Sequence, residues 1–359
     1  MAPPKTIVFF PEAAFGPALN CVGIAQACRE IGHRSLFVAD RSFQGVFSRY
    51  GFEERLVDMS EPMDAAAASQ FWKDFIASHL PHFRLPPIEQ ISTYVVPVWE
   101  AVVDSAVHVE AALGGVLADL EPDLICVDNI ILFPAIKKAG CPWVRIVSCS
   151  ENEIPDPDLP PHLSGCGEAD RACHEAFRRE FERLIRPCHD RFNSFLASVG
   201  HPPYPCGEFF ETSPDLNLLL YPQPLAYKRR NPLDAERFKY LEGCVRDEGS
   251  FEVPSFEAHD DRALIYISYG SLGAADVDLF RRQIDLFSRL PYRVLVSVGD
   301  YVDSYTKVPP NVQVASFYPQ PAVLPLRPGD PSRRQQHLHR GALLRGALDR
   351  DAVLLGRAG

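Results

Sequence analysis

Three groups of residues have types and spacings that could do chemistry. Tyr269-Gly270-Ser271-Leu272-Gly273 follows an apolar run (263–268) and precedes a helical pattern (276–290). A small-residue turn between a strand and a helix offers backbone N–H groups and a helix dipole to a phosphate, and the Ser271 hydroxyl would add a donor. Glycine in such a turn more often serves tightness alone. The stretch is not a Walker loop and lacks the full G-x-G-x-x-G spacing. Asp128 closes the apolar run 124–127; a carboxylate there either catalyses or caps the next segment, and spacing alone favours the cap. Phe317, in Phe317-Tyr318-Pro319-Gln320, would stack on a base or close a core; taken singly, core is the commoner role. Cys173-His174 and Cys188-His189 pair metal-binding residue types. They fall in an Arg/Glu-rich helical stretch without C-x₂₋₄-C spacing, so no metal site is expected.

The elements that must position these residues alternate between strand and helix. Residues 6–10, 35–38, 124–127 and 143–147 read as apolar strands, and 19–30 and 93–120 as helices. Such alternation predicts a parallel, doubly wound sheet with its ligand rim at the carboxyl ends of the strands. The loop 11–20, Asp128 and Ser148-Cys149-Ser150 would lie on that rim. A charged helix at 169–199 follows between Pro-rich loops, then a strand at 216–221. Residues 222–255, broken by Pro and Gly, read as a linker. A second α/β unit restarts at 263–268, with a helix at 276–290 and strands at 293–298 and 312–316. Two such units would face each other across a cleft, the natural place for a small-molecule site.

The chain has 359 residues, room for two ordinary domains, with 46% hydrophobic and 23% charged residues. That is globular composition, and it excludes collagen, coiled coil and wholly disordered chains. A net charge of −11 leaves no global basic field for nucleic acid or an anionic membrane. No run of uncharged apolar residues reaches membrane-spanning length, and the short apolar run near the N-terminus cannot form a signal-peptide core. A cytoplasmic protein is expected. The ten cysteines lie mostly in apolar or helical stretches (Cys21, Cys28, Cys126, Cys141, Cys149), where reduced buried thiols are expected.

In this order the segments resemble the two-domain UDP-dependent glycosyltransferases with the GT-B fold, of the macrolide and plant secondary-metabolite type. The resemblance covers residues 5–326. Its most specific parts are Ile265-Tyr266-Ile267-Ser268-Tyr269-Gly270-Ser271, similar to the family's V-x-x-S-x-G-S, and Phe317-Tyr318-Pro319-Gln320, similar to its W-x-P-Q. Gly32-His33-Arg34 and Pro122-Asp123-Leu124-Ile125-Cys126-Val127-Asp128 fit the N-terminal half. The resemblance implies an α/β fold of two Rossmann-like domains, 1–221 for the acceptor and 256–326 as part of the nucleotide-sugar domain, joined by the linker 222–255. It implies inverting transfer of a hexose from a UDP-sugar to a hydroxyl of a hydrophobic small molecule, with no further cofactor. Gly270 and Ser271 would contact the diphosphate, Phe317 would stack on the uracil, and Gln320 would help seat the nucleoside. Asp128 would orient the catalytic base. Phe15, Gly16 and Trp72 would line the acceptor side, with Phe10, Phe71 and Phe75 nearby; at helical spacing Phe71 and Phe75 fit a core equally well.

Two departures stand out. Where the family carries Gly-His, whose His deprotonates the acceptor, this chain has Gly16-Pro17. Proline cannot take a proton, which leaves Asp128 without an evident partner. Further on, the family continues past W-x-P-Q into H-x-G-G-x-x-[ST]-x-x-E. Here residues 327–359 hold seven Arg and no Lys. Codons permitted for 327–342, read one base later, can spell D-L-V-I-H-H-G-G-N-N-T-F-T-E-A-L, which suggests a frameshift near Leu326. The alternative is a natural basic tail. On the frameshift reading the second domain is incomplete, its first strand loses a neighbour and becomes an apolar edge, and activity is impaired. A non-catalytic remnant or small-molecule binding module is then the second functional class. An NAD-dependent oxidoreductase fits poorly without the dinucleotide fingerprint.

Overall fold

The computed structural model describes residues 3–61, 65–241, 244–256 and 262–324, giving only the backbone of 65–69 and 72. The 327–359 tail and its expected frameshift lie outside the described residues. The chain divides into two compact units: Met1–Lys73 with Pro81–Cys244, and Asp74–Leu80 with Val245–Gly359.

The first unit is built on seven strands: β1 (Thr6–Pro11), β2 (Arg34–Asp40), β3 (Glu53–Val57), β4 (Leu124–Asp128), β5 (Trp143–Val147), β6 (Leu216–Leu219) and β7 (Phe238–Tyr240). All pair in parallel, in the order β3-β2-β1-β4-β5-β6-β7. Its helices are α1 (Phe15–Glu30), the first part of α2 (Ala65–His79, divided between the units after Lys73), α3 (Pro87–Gln90), α4 (Val96–Leu120), α5 (Pro134–Lys138) and α6 (Arg171–Ser198). A parallel sheet must be covered on both faces, and β1 shows how. Val8 and Phe10 point into a core with Trp99, Val103, Leu113, Phe192 and Leu196 of α4 and α6. Ile7 and Phe9 point into another with Ala18, Cys21, Val22 and Ala25 of α1. Each large apolar side chain so buried contributes about 1.5–3 kcal/mol.

The helical stretch Pro87–Leu120 is long and apolar enough to cross a membrane by length and composition, where the sequence reading saw no such run. Here its apolar side is the core of the first unit, with Val103, Ala106, Val109 and Leu113 fully buried. The helix predicted from residue 93 instead begins with a π turn at Ile91–Val95. Pro97, near the start of α4, has no N–H to give to the helical ladder.

Two strands escaped the sequence reading. Glu53-Glu54-Arg55 of β3 carries no apolar run, yet Glu54 holds the preceding turn, accepting from Phe47 N and Ser48 N at 2.7 Å and Gly45 N at 2.8 Å. β7 lies inside the expected linker 222–255 and extends the first sheet, so the first unit runs past residue 221, through Cys244. An edge strand needs one hydrogen-bonded neighbour and one apolar contact, here Phe238, and short edge strands leave little periodicity to read.

Cys166 and Cys173 form a disulfide closing the loop before α6, a pairing the reading of scattered, reduced thiols did not anticipate. Asp170 caps that helix, accepting from Cys173 N at 3.0 Å. The neighbouring histidines bond to backbone: His174 Nε2 to Gly167 O (2.9 Å) and His189 Nε2 to Glu208 O (3.1 Å).

The second unit contains β8 (Leu264–Ser268), α7 (Gly270–Gly273), α8 (Val277–Ser288), β9 (Arg293–Ser297), β10 (Val312–Ala315) and α9 (Gln320–Val323). Its sheet is parallel in the order β10-β9-β8. Ile265 and Ile267 pack with Phe280, Ile284 and Phe287, the i, i+4, i+7 stripe of α8. Tyr266 and Leu295 pack on the other face with Phe256, Tyr318 and Val323. Asp276 caps α8 through Leu279 N at 3.1 Å. Among the described residues β8 pairs with β9 alone.

Candidate active site

The order β1-β4-β5 brings three carboxyl-terminal strand ends side by side. Pro11 pairs in register with Asp128, and Glu12 N donates to the Asp128 carbonyl at 2.7 Å. Glu12 therefore leaves β1 beside Asp128. Sequence reasoning passed over Glu12, although it carries the signal that flagged Asp128: a carboxylate directly after an apolar strand.

Asp128 is 4% exposed. Its Oδ1 accepts from Ser148 Oγ at 2.9 Å, and its Oδ2 has no hydrogen-bond partner. It caps no helix: α5 has Phe133 at its N-cap, which removes the reading that spacing alone favoured. Burial pushes the Asp128 carboxyl up to about 8, with the Glu12 charge adding to the rise and the Ser148 hydrogen bond and Arg145 opposing it. Burial likewise lifts Glu12 to about 7. Glu153, in the turn Glu151–Glu153, rises to about 8 through burial and then the charges of Asp128 and Glu12.

The nearby cation is Arg145, fully buried, donating to Asn129 O (2.6 Å) and Glu211 O (2.9 Å) and lying 4.6 Å over the Phe210 ring. Burial draws its guanidinium down to about 10. Asp128 and Glu153 share this guanidinium, and the Glu12 charge acts on both; carboxyls so crowded cannot all ionise cheaply, which moves their proton loss toward neutral pH. A carboxylate poised there is matched to accepting a proton from a hydroxyl.

Around this edge, Phe15 is 54% exposed at the start of α1, its ring 5.1 Å from Phe43. Gly16 is exposed with open space beside it. Phe10, expected near the acceptor, is instead core, packed edge-on against Phe133. The side chain of Trp72 lies outside the described residues, and Phe71 is exposed.

In the second unit the predicted turn winds into the single helical turn α7. Both glycines have backbone reasons. Gly270 has φ +72°, and a Cβ on Gly273 would collide with Tyr269 Cβ. Ser271 is exposed. Phe317 is 54% exposed, which overturns its core reading. The neighbouring Tyr318 fills that role, edge-on to Phe251 and Tyr266. Gln320 opens α9 and is half-buried. The structure thus brings Gly270 and Ser271 to the end of β8, and Phe317 and Gln320 to the segment after β10.

Two parallel α/β units, the first doubly wound, define the class of fold. No protein-family model and no curated protein matches the sequence, but solved structures do. The chain has the GT-B architecture of a glycosyltransferase of kitacinnamycin (TM-score 0.61, 19% identity, over 95% of this chain and 79% of that one). It is similar also to CalG4, the calicheamicin glycosyltransferase (0.52, 17%, 90% and 72%). A third likeness is to glycosyltransferase SsfS6 of Streptomyces sp. SF2575, complexed with thymidine diphosphate (0.53, 14%, 89% and 74%). At these identities the likeness establishes the fold.

Proposed function

We propose that the protein transfers a hexose from a UDP-sugar to a hydroxyl of a hydrophobic small molecule, with inversion at the anomeric carbon. The observation that carries this reading is the half-buried Glu12 beside the buried Asp128 at the ends of β1 and β4, both poised near neutrality, in a fold used by natural-product glycosyltransferases. Glu12 is the base in this reading and stands in for the histidine that Pro17 replaces; Asp128 is the second carboxyl of the pair. The acceptor O–H proton passes to Glu12 as the oxygen forms its bond to the sugar C1. The bond from C1 to the β-phosphate oxygen breaks, and UDP leaves with that electron pair. Phe15 and Gly16, together with Trp72, line the acceptor side. Gly270 and Ser271 hold the diphosphate, Phe317 stacks on the base and Gln320 seats the nucleoside.

The test is mass-spectrometric detection of a glucoside after incubation with UDP-glucose and a phenolic acceptor. Product from the wild type, formed at least about a hundredfold more slowly by Asp128→Asn, supports the reading; equal product from both contradicts it. The pairing of β8 on one side only, among the described residues, favours a second reading, a binding module without transfer. Calorimetric UDP binding without any glucoside would select it.

A further inference from the structure

Beyond β5, three successive segments converge on one point. Cys149 follows the strand, Glu153 ends the turn Glu151–Glu153, and His162 lies in the Pro-rich loop. Their candidate ligand atoms, a thiol sulfur, a carboxylate oxygen and an imidazole nitrogen, lie within 4.8 Å of one another. His162 Nε2 is 4.0 Å from Glu153 Oε1.

Hydrogen bonds behind the trio orient the imidazole. Asn152 Oδ1 accepts from Ser150 Oγ at 2.5 Å, while its Nδ2 donates to Pro160 O at 3.2 Å. With the amide turned that way, His162 Nδ1, 3.3 Å from Asn152 Oδ1, is the nitrogen that donates. The lone pair of Nε2 then faces Glu153. The Glu153 side chain is 7% exposed, and its Oε1 has no hydrogen-bond partner. The carboxyl, hydrogen-bonded to the Cys149 thiol, and the imidazole thus face each other across 4.0 Å. A cation that displaced the thiol and carboxyl protons would be met by three ligand atoms at once.

We propose that Cys149, Glu153 and His162 bind a borderline divalent metal ion of the zinc type. The ligand set is S, O and N, three protein ligands with a fourth position left to water. Asn152 is the positioning residue that fixes the imidazole, as partners behind a ligating histidine do. Cys149 is exposed, which gives the ion a way in. The ion would pin the Pro-rich segment to the end of β5. The order Cys149, His162, Asn152 also matches a thiol nucleophile with its base and orienting amide. Beside this thiol, however, the Glu153 carboxyl completes the trio, an oxygen ligand that a cation uses and a thiol–imidazole pair does not need. The site stands or falls independently of sugar transfer.

The experiment strips the full chain with a chelator, removes the chelator and titrates with Co²⁺, then Zn²⁺. A near-ultraviolet thiolate-to-cobalt band that saturates at one equivalent and is abolished by zinc is expected. Cys149→Ser should remove the band. His162→Ala should weaken binding at least about tenfold, and Asn152→Ala by about 10–100-fold, with circular dichroism confirming the fold of each. Absence of the band in the wild type, which needs no variant to interpret, would overturn the proposal, as would an unchanged band in Cys149→Ser. Rapid alkylation of Cys149 that neither metal slows would overturn it in favour of the nucleophile.

Discussion

The two units begin alike and diverge at one strand edge. In each, three parallel strands run in the order third, second, first, with a helix after the first strand. In the first unit β1 has β2 on one side and β4 on the other. That second neighbour is what places the buried Asp128 beside the half-buried Glu12. In the second unit β8 pairs with β9 alone among the described residues, and the groups past its sheet are surface groups: Ser271, Leu272 and Phe317 are exposed. A strand flanked on both sides can hold protons near neutral pH through burial. Around β8 the described groups offer contact surfaces instead.

Breaking the carboxyl pair should have the largest effect. Asp128→Asn or Glu12→Gln should lower the transfer rate by about 10²–10⁴-fold, read from glucoside formation at saturating donor. The same variants should melt no lower than the wild type at pH 8, because each removes a carboxyl that costs more to ionise in the folded state than in water. Next, Phe280→Ala empties the centre of the smaller core and should cost about 3–5 kcal/mol. If the units unfold separately, only the second transition should move in a denaturant titration.

The pH dependence of stability sharpens the contrast. Glu12, Asp128 and Glu153 all have folded-state values above the ordinary carboxylate range, so the folded state binds more protons than the unfolded one. Stability of the first unit should therefore fall as pH rises from about 4.5 to about 8. The loss per carboxyl is at most roughly 1.4 kcal/mol for every tenfold by which folding weakens its acidity. Denaturant midpoints taken across that range should show the slope in the wild type and a shallower one in Asp128→Asn. The smallest effect belongs to the exposed aromatic. Phe317→Ala should weaken UDP binding by about 1–3 kcal/mol, the worth of one base on an aromatic ring, measured by calorimetry.

Much of this was legible in the chain itself. The apolar strands and the stripe Phe280, Ile284 and Phe287 follow period and composition, and Asp128 stood out as a polar residue ending an apolar run. β3 and β7 did not, because edge strands carry charges such as Glu53 and Lys239 where central strands carry valine. Glu12 was hidden because its meaning is relational: only the pairing of Pro11 with Asp128 sets the two carboxyls together. The trio Cys149, Glu153 and His162 is spread over 14 residues of turn and Pro-rich loop, where no periodicity fixes direction. Phe317 misled in the other direction, since an aromatic in an apolar stretch resembles core until Tyr318 is seen to occupy it.

The most direct test is the pH dependence of kcat/KM for glucoside formation in the wild type and in Glu12→Gln. The carboxyl-pair account predicts a wild-type rate that climbs as pH passes through about 7 to 8, where Glu12 and Asp128 lose their protons, and a much lower, flattened profile in the variant. A variant with wild-type rate and an unchanged profile would contradict it.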